Sequence, residues 1–332
     1  MTTASSEGRE YVVAWAHGML GKDQLHNGRE VVGLVVYPAD SEGQEVAPAR
    51  EISVPVSARP GQVHVSGASG SLLVSWGGEG LYGTSAARVD VSTGKVTPFG
   101  EADALLPQCA ATTGCSGSTV LSATSQGPVV AMGSGGFGVP GGWLSSSVKP
   151  DGVPAKSGFL GALNGRAYGA SGDNLLASWR TGKYGDATPV WTVHDMASGR
   201  IKAQMACAAK EPSGSSAGAY AVVSSPTGRY LAAGPVAFDL VTKKGMCLQG
   251  DGNRKTINVA SISAAGVAYG AVEEGDASAQ SGPVVAEVVL KTGSSSVLKA
   301  GTEVPITHAG DNGLIVRRDA ADQVQVCLRR MR

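Results

Sequence analysis

Two glycine-rich motifs have the spacing of sites that bind cofactors or carry out catalysis. Residues 133–138 read GSGGFG, which fits the GxGxxG pattern of dinucleotide sites, and residues 214–218 read GSSAG, which would expose Ser216 as a nucleophile. Both chemistries need a helix directly after the motif, because its N-terminal amides bind the pyrophosphate or position the nucleophile. VPGGWLSSS and AYAVVSS follow instead. We therefore interpret both motifs as turns.

Metal chemistry is also poorly supported by residue spacing. The five histidines have no metal-ligand spacing; they are His17, His26, His64, His194 and His308. The turn at residues 250–253 reads GDGN and offers Asp251 and Asn253, which are too few oxygen ligands for a calcium loop. The sequence thus predicts no cofactor, no metal and no catalytic set. An enzyme with dispersed catalytic residues stays open as an alternative.

Composition restricts the class of partner. The chain has 332 residues with 27 basic and 27 acidic side chains, so its formal net charge is zero. Nucleic acid and anionic membranes both attract basic faces, and therefore neither is expected as the main partner. No apolar run is long enough to span a bilayer. Hence no nucleic acid and no membrane insertion are predicted.

The cysteines bear on the compartment. Cys109 and Cys115 lie in the loop-like segment CAATTGC, and Cys207 and Cys247 each end a run that follows a turn. Two disulfides would favour an oxidising environment, with Cys327 left over; free buried thiols are the alternative. The polar start MTTASSEGRE lacks the apolar core of a signal peptide. We expect a secreted protein whose signal has been removed, with an intracellular protein as the alternative.

These residues must be positioned by a repeated strand pattern. Residues 72–83 read LLVSWGGEGLYG and residues 175–185 read LLASWRTGKYG, and related segments start at Val12 and Val129. Each has an apolar pair, a small residue, a bulky residue, a glycine-rich loop, and a large apolar residue before glycine. An alternating hairpin such as ARVDVSTGKVTPF follows, and a short strand of small and β-branched residues precedes. The unit therefore contains four strands.

The repeat predicts an all-β fold, a β-propeller of four-stranded blades. Radially repeated four-stranded units of 40 to 50 residues are typical of propeller blades. Second strands are expected to end near residues 15, 76, 132, 179, 234, 272 and 318, which indicates seven blades. We expect a polar tail at 1–8, a chain that enters directly on a second strand, and a single domain at 9–332 closed by both terminal strands. Six blades, or two β-sandwiches, are the alternatives.

One blade carries a resemblance to known propellers. Residues 225–248 read SPTGRYLAAGPVAFDLVTKKGMCL, which resembles the blades of bacterial WD40-like and YVTN-type propellers; VDVSTGKV at 89–96 is similar. In size and composition the chain is also similar to the lectin-like propeller subunits of streptomycete umbrella toxin particles. That resemblance implies a secreted module that binds cell-surface glycans and docks on an adaptor protein. The matching residues serve turns and packing, so they imply fold and not activity.

The loops between second and third strands form the predicted ligand face. Tyr82, Phe137 and Tyr184 precede glycines in these loops on three consecutive blades, and Trp143 follows closely. Aromatic platforms beside polar groups suit carbohydrate. The candidate polar partners are Asp23, Glu79, Lys183, Asp186 and Glu274. The alternative is that these aromatics fill gaps between blades, as we expect for the tryptophans at the second-strand ends.

The resulting functional prediction is a non-catalytic, lectin-like recognition module that binds cell-surface carbohydrate within a secreted, toxin-type assembly. It depends on the propeller, the aromatic loops and the missing catalytic set. A scaffold propeller that binds only a partner protein is one alternative. An extracellular propeller enzyme of the lyase or lactonase type is the other.

Overall fold

The computed structural model describes most of the chain. The described residues are 2–6, 9–22, 25, 27–41, 46–57, 63–68, 70–77, 85–101, 118–124, 127–132, 135–156, 164–181, 188–209, 221–251, 253–273, 284–318 and 324–330. They form seven antiparallel sheets, each built from strands that are consecutive in the chain. The protein is a seven-bladed β-propeller, and the predicted fold class is confirmed.

The first four blades occupy the N-terminal two thirds of the chain. Blade 1 contains β1 (Thr2–Ser6), β2 (Arg9–Leu20), β3 (Arg29–Pro38) and β4 (Arg50–Pro55). Blade 2 contains β5 (Val63–Ala68), β6 (Ser71–Trp76), β7 (Ser85–Val89) and β8 (Val96–Glu101). Blade 3 contains β9 (Thr119–Thr124), β10 (Gly127–Ala131) and β11 (Phe137–Gly138). Blade 4 contains β12 (Arg166–Ser171), β13 (Asn174–Trp179), β14 (Val190–Asp195) and β15 (Ile201–Ala206).

The last three blades follow in the same order. Blade 5 contains β16 (Val223–Ser224), β17 (Tyr230–Ala233), β18 (Val236–Asp239) and β19 (Lys244–Cys247). Blade 6 contains β20 (Ile257–Ile262), β21 (Val267–Val272), β22 (Val285–Val289) and β23 (Ser294–Val297). Blade 7 contains β24 (Thr307–Ala309), β25 (Asn312–Arg318) and β26 (Val324–Arg330).

The first strand of each blade faces the centre of the ring. These strands contact one another in sequence around the ring, from β1 through β5, β9, β12, β16 and β20 to β24, which contacts β1. Two polar contacts bridge blades 7 and 1: the Thr3 and Thr307 hydroxyls lie 3.2 Å apart, and the Gly310 amide donates to the Glu10 carboxylate. The ring is thus closed at its innermost layer.

The chain ends differ from the prediction. Residues 2–6 form β1 and pair with β2, so blade 1 has its own first strand, and the chain does not enter on a second strand after a polar tail. Blade 1 uses only N-terminal strands, and blade 7, in its described part, uses only C-terminal ones. We expected the two terminal strands to share a blade, and within the described residues they do not.

Blade 3 departs from the repeat at its outer edge. Residues 143–156 contain a 3-10 helix at Ser145–Ser147 in place of further strands, and only an isolated bridge joins Leu144 to Gly138. Pro150 and Pro154 lie in this segment, and proline has no amide hydrogen to donate to a strand ladder. The described part of blade 3 therefore has three strands.

Apolar side chains from neighbouring blades form the core. One cluster joins Leu34 of blade 1 to Leu72 of blade 2, and another joins Leu121 of blade 3 to Leu175 of blade 4. Trp179 lies fully buried in the second cluster, which confirms that this strand-end tryptophan packs between blades. Each fully buried aliphatic side chain contributes about 1.5–3 kcal/mol, so these clusters hold the blades together.

A hydrogen-bonded chain of polar side chains crosses the core of blade 4. The Trp179 indole donates to the Thr192 hydroxyl at 2.7 Å, and that hydroxyl lies 2.7 Å from His194 Nε2. His194 Nδ1 donates to the Gly199 carbonyl at 2.8 Å, so Nε2 of the neutral ring accepts from Thr192. Burial lowers the pKa of His194 to about 4, although the Gly199 bond opposes this. The imidazole is therefore neutral in the folded protein.

A disulfide links the outer parts of blades 4 and 5. Cys207 follows β15 and bonds to Cys247, the last residue of β19. This pairing of the outer strands of adjacent blades confirms a disulfide between the two predicted cysteines. The other predicted pair, Cys109 and Cys115, lies outside the described residues.

Candidate functional site

A polar cavity opens at one end of the propeller. It has a volume of about 1020 Å³ and extends from the central ring into the groove between blades 4 and 5. The turns that join first to second strands and third to fourth strands provide most of its wall; they include residues 171–174, 195–200 and 224–229. These two turn types lie at the same end of a blade, because successive antiparallel strands alternate in direction.

Blade 4 supplies a cluster of fixed polar groups to this groove. Lys202 Nζ donates to the Asn174 amide oxygen at 2.9 Å and lies 3.1 Å from the Asp195 carboxylate. Asp195 also accepts from the Ser198 amide and hydroxyl. Partial burial opposes ionisation, but the bonds from Ser198 and Lys202 hold the pKa of Asp195 below its usual value. The cluster thus presents a carboxylate and an ammonium side by side.

Blade 5 forms the opposite wall, where Arg229 is held by an ion pair with Asp239. The Arg229 guanidinium binds the Asp239 carboxylate through Nε at 3.2 Å and through Nη2 at 2.8 Å. That pairing, with help from the Val241 and Thr242 amides, lowers the pKa of Asp239 to about 2. Lys243 lines the same wall, so the groove between the two blades carries charges of both signs.

One inner-ring histidine closes the cavity wall at blade 7. His308 is only 5% exposed and stacks on Tyr269 with ring centroids 5.5 Å apart. Neither ring nitrogen has a hydrogen-bond partner within the described residues. Burial lowers the pKa of His308 to about 4, against the opposing charge of Asp311, so this ring is also neutral.

Most of the sequence-predicted site residues lie outside the described residues. Tyr82 and Tyr184 lie outside the described residues, and so do the polar candidates Asp23, Glu79, Lys183, Asp186 and Glu274. Phe137 has no exposed surface, and its ring lies 5.6 Å from that of Trp179. It therefore fills the space between blades 3 and 4, which is the packing alternative, and it is not available to a ligand.

Trp143 is half-buried and is held by a structural contact. Its indole Nε1 donates to the Met196 carbonyl at 3.0 Å, and its ring meets the Phe137 ring edge-on at 5.9 Å. The ring also occupies the space next to the Gly199 backbone, where a Cβ would lie 2.6 Å from it. Trp143 thus packs blade 3 against a turn of blade 4.

The described cavity lies at the end opposite to the predicted ligand face. The predicted face consists of loops between second and third strands, whereas the cavity is bordered by the other two turn types. The propeller consensus, which includes SPTGR at 225–229, predicts only a role in turns and packing. The polar side chains do form the turns, but Arg229 and Asp195 also line the cavity. The charged residues in these turns were the feature of the sequence that could have indicated a polar cavity at this end.

Comparisons with known proteins do not assign a family. No protein-family model matches the chain, and no curated protein matches it. Among solved structures, hydrazine synthase of Kuenenia stuttgartiensis is 14% identical, with a TM-score of 0.42 over 98% of this chain and 94% of that one. The tricorn protease is 9% identical, with a TM-score of 0.31 over 96% of this chain and 32% of that one. Likenesses this distant carry no functional argument.

The described residues offer neither a metal centre nor a membrane-spanning helix. Across the described ranges, His, Cys, Asp and Glu side chains nowhere gather in groups of three that could hold a metal ion. The described part of the chain also contains no helix that is long and apolar enough to cross a membrane.

Proposed function

We propose that this chain is a non-catalytic recognition propeller, lectin-like in that it binds carbohydrate through the cavity at the ends of blades 4 and 5. The observation that supports this most is the pairing of fixed donors and acceptors around a cavity of about 1020 Å³. Sugar hydroxyls donate and accept at once, so they need both kinds of group held in place.

The cluster around Lys202 suits such a ligand. An ammonium has three donors, and two of them bind Asn174 and Asp195. The third is available to a hydroxyl oxygen, and the remaining lone pairs of the Asp195 carboxylate can accept from a hydroxyl. Because the charges of Lys202 and Asp195 offset each other, a neutral ligand at this cluster meets a pair of opposite charges and not a single charge.

We further propose that the protein works outside the cell as part of a toxin-type assembly, with an adaptor protein as its partner. The resemblance to lectin-like propellers of umbrella particles supports this. The Cys207–Cys247 disulfide is compatible with an extracellular protein, since such bonds persist in oxidising compartments.

A glycan array with the purified chain tests the carbohydrate proposal. We expect binding to a subset of glycans, and we expect Lys202→Met to weaken it about tenfold, because hydrogen bonds to charged groups contribute about 1.5–3 kcal/mol. Lys299→Met is the matched control, since this exposed lysine is not part of the cavity wall. Signal no higher than background from a correctly folded protein, or equal loss with both variants, would refute the proposal.

A scaffold role is the second candidate, and one surface favours it. The hairpin of β2 and β3 is the longest described, with 12 and 10 residues, and its end carries Met19 and Leu20, each 45% exposed. Exposed apolar side chains at a protruding hairpin fit a protein interface. Capture of an adaptor from culture supernatant that is lost with Leu20→Glu and kept with Lys202→Met would favour this role over carbohydrate binding.

A further inference from the structure

The outer edge of blade 7 differs from that of the five four-stranded blades. β26 pairs only with β25 and is the last strand of its sheet within the described residues, whereas the third strands of blades 1, 2, 4, 5 and 6 all pair with a fourth. The backbone groups along a sheet edge form a template for another strand. Blade 7 therefore has a position for one more strand.

Two apolar side chains of β26 are exposed as well. Val326 is 42% exposed and Leu328 is 40% exposed, whereas all four residues of β18, the third strand of blade 5, are buried. Val326 and Leu328 are two positions apart and so lie on the same face of the strand. Val326 and Leu328 thus form a small exposed apolar face on an edge strand, which a partner strand can cover.

The sequence of β26 is suited to pairing with itself. The strand reads VQVCLRR, and its central residue is Cys327, the free cysteine of the described chain. If two copies pair antiparallel about Cys327, Val326 lies opposite the partner's Leu328 and Cys327 lies opposite the partner's Cys327. Apolar cross-strand pairs of this kind stabilise a sheet. Val326 of each copy thus covers Leu328 of the other copy.

Charge does not oppose this register. Arg329 lies opposite the partner's Gln325, and Arg330 lies opposite the partner's Val324, so no arginine faces another arginine across the pair. A shift by one residue would remove both the apolar matches and the cysteine match, because side chains alternate between faces. Only the register centred on Cys327 pairs the apolar residues, places the two cysteines opposite each other and keeps the arginines apart.

We propose that a second copy of this chain adds to β26 in this antiparallel register and that an intermolecular disulfide joins the two Cys327 residues. Residues directly opposite each other in antiparallel strands have Cα atoms about 4.5–5.5 Å apart, within the 4.4–6.8 Å that a disulfide spans. One strand pair buries far less than the roughly 1,600 Å² of a stable interface, so the covalent bond is what makes the dimer persist.

The bond forms by exchange with a small disulfide such as oxidised glutathione. The Cys327 thiolate attacks one sulfur, which forms a mixed disulfide and releases one glutathione thiolate. The partner's Cys327 thiolate then attacks the mixed disulfide and releases the second glutathione. Two protein thiols are oxidised, one glutathione disulfide is reduced to two thiols, and Cys207–Cys247 stays intact. An oxidising compartment favours both bonds.

The test is the mass of the purified chain in oxidised and in reduced glutathione buffers, by light scattering and by non-reducing gel. We expect a dimer in oxidised buffer, a monomer in reduced buffer, and a Cys327–Cys327 peptide after digestion. A monomer in both buffers, a stable glutathione adduct on Cys327, or a dimer linked through another cysteine would overturn the proposal.

A matched pair of variants separates strand pairing from random collision of exposed thiols. Val326→Lys keeps the thiol but puts a charge opposite the partner's Leu328, and we expect it to slow dimer formation at least tenfold. Val297→Lys makes the same change at another exposed strand valine, in β23, and should leave the rate unchanged. Equal rates for both variants would also overturn the proposal. Cys327→Ser should abolish the covalent dimer without loss of folding.

Discussion

Two buried histidines make the stability of this propeller sensitive to mild acid. His194 and His308 both have pKa values of about 4 in the folded protein, mainly because burial disfavours the charged ring. An unfolded chain has histidine pKa values of about 6.5. As the pH falls below 6.5, the unfolded state therefore binds protons that the folded state does not, and stability is lost until both states are protonated near pH 4.

The magnitude follows from these pKa values. Between pH 7.5 and pH 5, one such histidine lowers the free energy of unfolding by about 2 kcal/mol, and the complete shift corresponds to about 3 kcal/mol. The two rings together remove about 4 kcal/mol by pH 5. That is a large part of a typical free energy of unfolding of about 5–15 kcal/mol.

Urea unfolding of the oxidised protein at both pH values measures this loss. His194→Gln should be less stable than the wild type at pH 7.5, but its loss between pH 7.5 and pH 5 should fall from about 4 to about 2 kcal/mol. Thr192→Val is the control, because it breaks the bonds to Trp179 and His194 while it keeps the buried imidazole. It should lower stability at both pH values and retain the full pH dependence. If His194→Gln kept the wild-type pH dependence, the assignment of the proton uptake to this ring would be refuted.

Two further predictions concern stability. Reduction of the Cys207–Cys247 bond, or Cys247→Ser, should lower the free energy of unfolding by about 4 kcal/mol, because the bond closes a loop with a sequence separation of 40; urea titration measures it, and an unchanged midpoint would contradict it. Gly266→Ala should cost at least 2 kcal/mol more than Gly301→Ala in thermal unfolding. Both glycines have φ of +80°, but a Cβ at Gly266 would lie 2.3 Å from the Tyr230 ring, whereas Gly301 faces open space; equal losses would refute the packing argument.

Much of the fold was predictable because the blade repeat depends on residues that are close together in the chain. The second strands lie close to where the repeat of apolar pairs placed them, and β13 ends at Trp179 as expected. Aspartates at the turns after third strands accept hydrogen bonds from amides two or three residues on, as Asp90 does from Ser92 and Thr93. Such signals depend on neighbours in the chain, so the sequence carries them directly.

Two of the departures from the prediction depend on contacts that are distant in sequence. The polar segment TTASS has weak strand character, and it becomes β1 because it pairs with β2 and lies beside β5 and β24. Phe137 resembles a loop platform in sequence, but its burial depends on Trp179 and His194 of the next blade. Periodicity reports which residues alternate along a strand, and it does not report what lies beyond the strand.

The same limit explains why the cavity was not foreseen. Lys202 and Asn174 are 28 residues apart, and the groove that they line exists only because blade 5 brings Arg229 to the other side. The turn consensus indicated that each aspartate and each arginine would stabilise its own blade, as Asp239 and Arg229 do. Their second role in one cavity arises from the angle between neighbouring blades, which no local motif encodes.

Ring closure and the open edge of blade 7 both depend on how the terminal strands pair. Because blade 1 has its own first strand, neither described chain end pairs with the other, and closure depends on contacts such as Thr3 with Thr307 and Glu10 with Gly310. A shared blade would have covered the outer edge of blade 7 with a terminal strand. Its absence from the described residues leaves β26 at the edge, with apolar side chains that a strand would otherwise cover. The edge of β26 is therefore the place where we expect a partner strand to add.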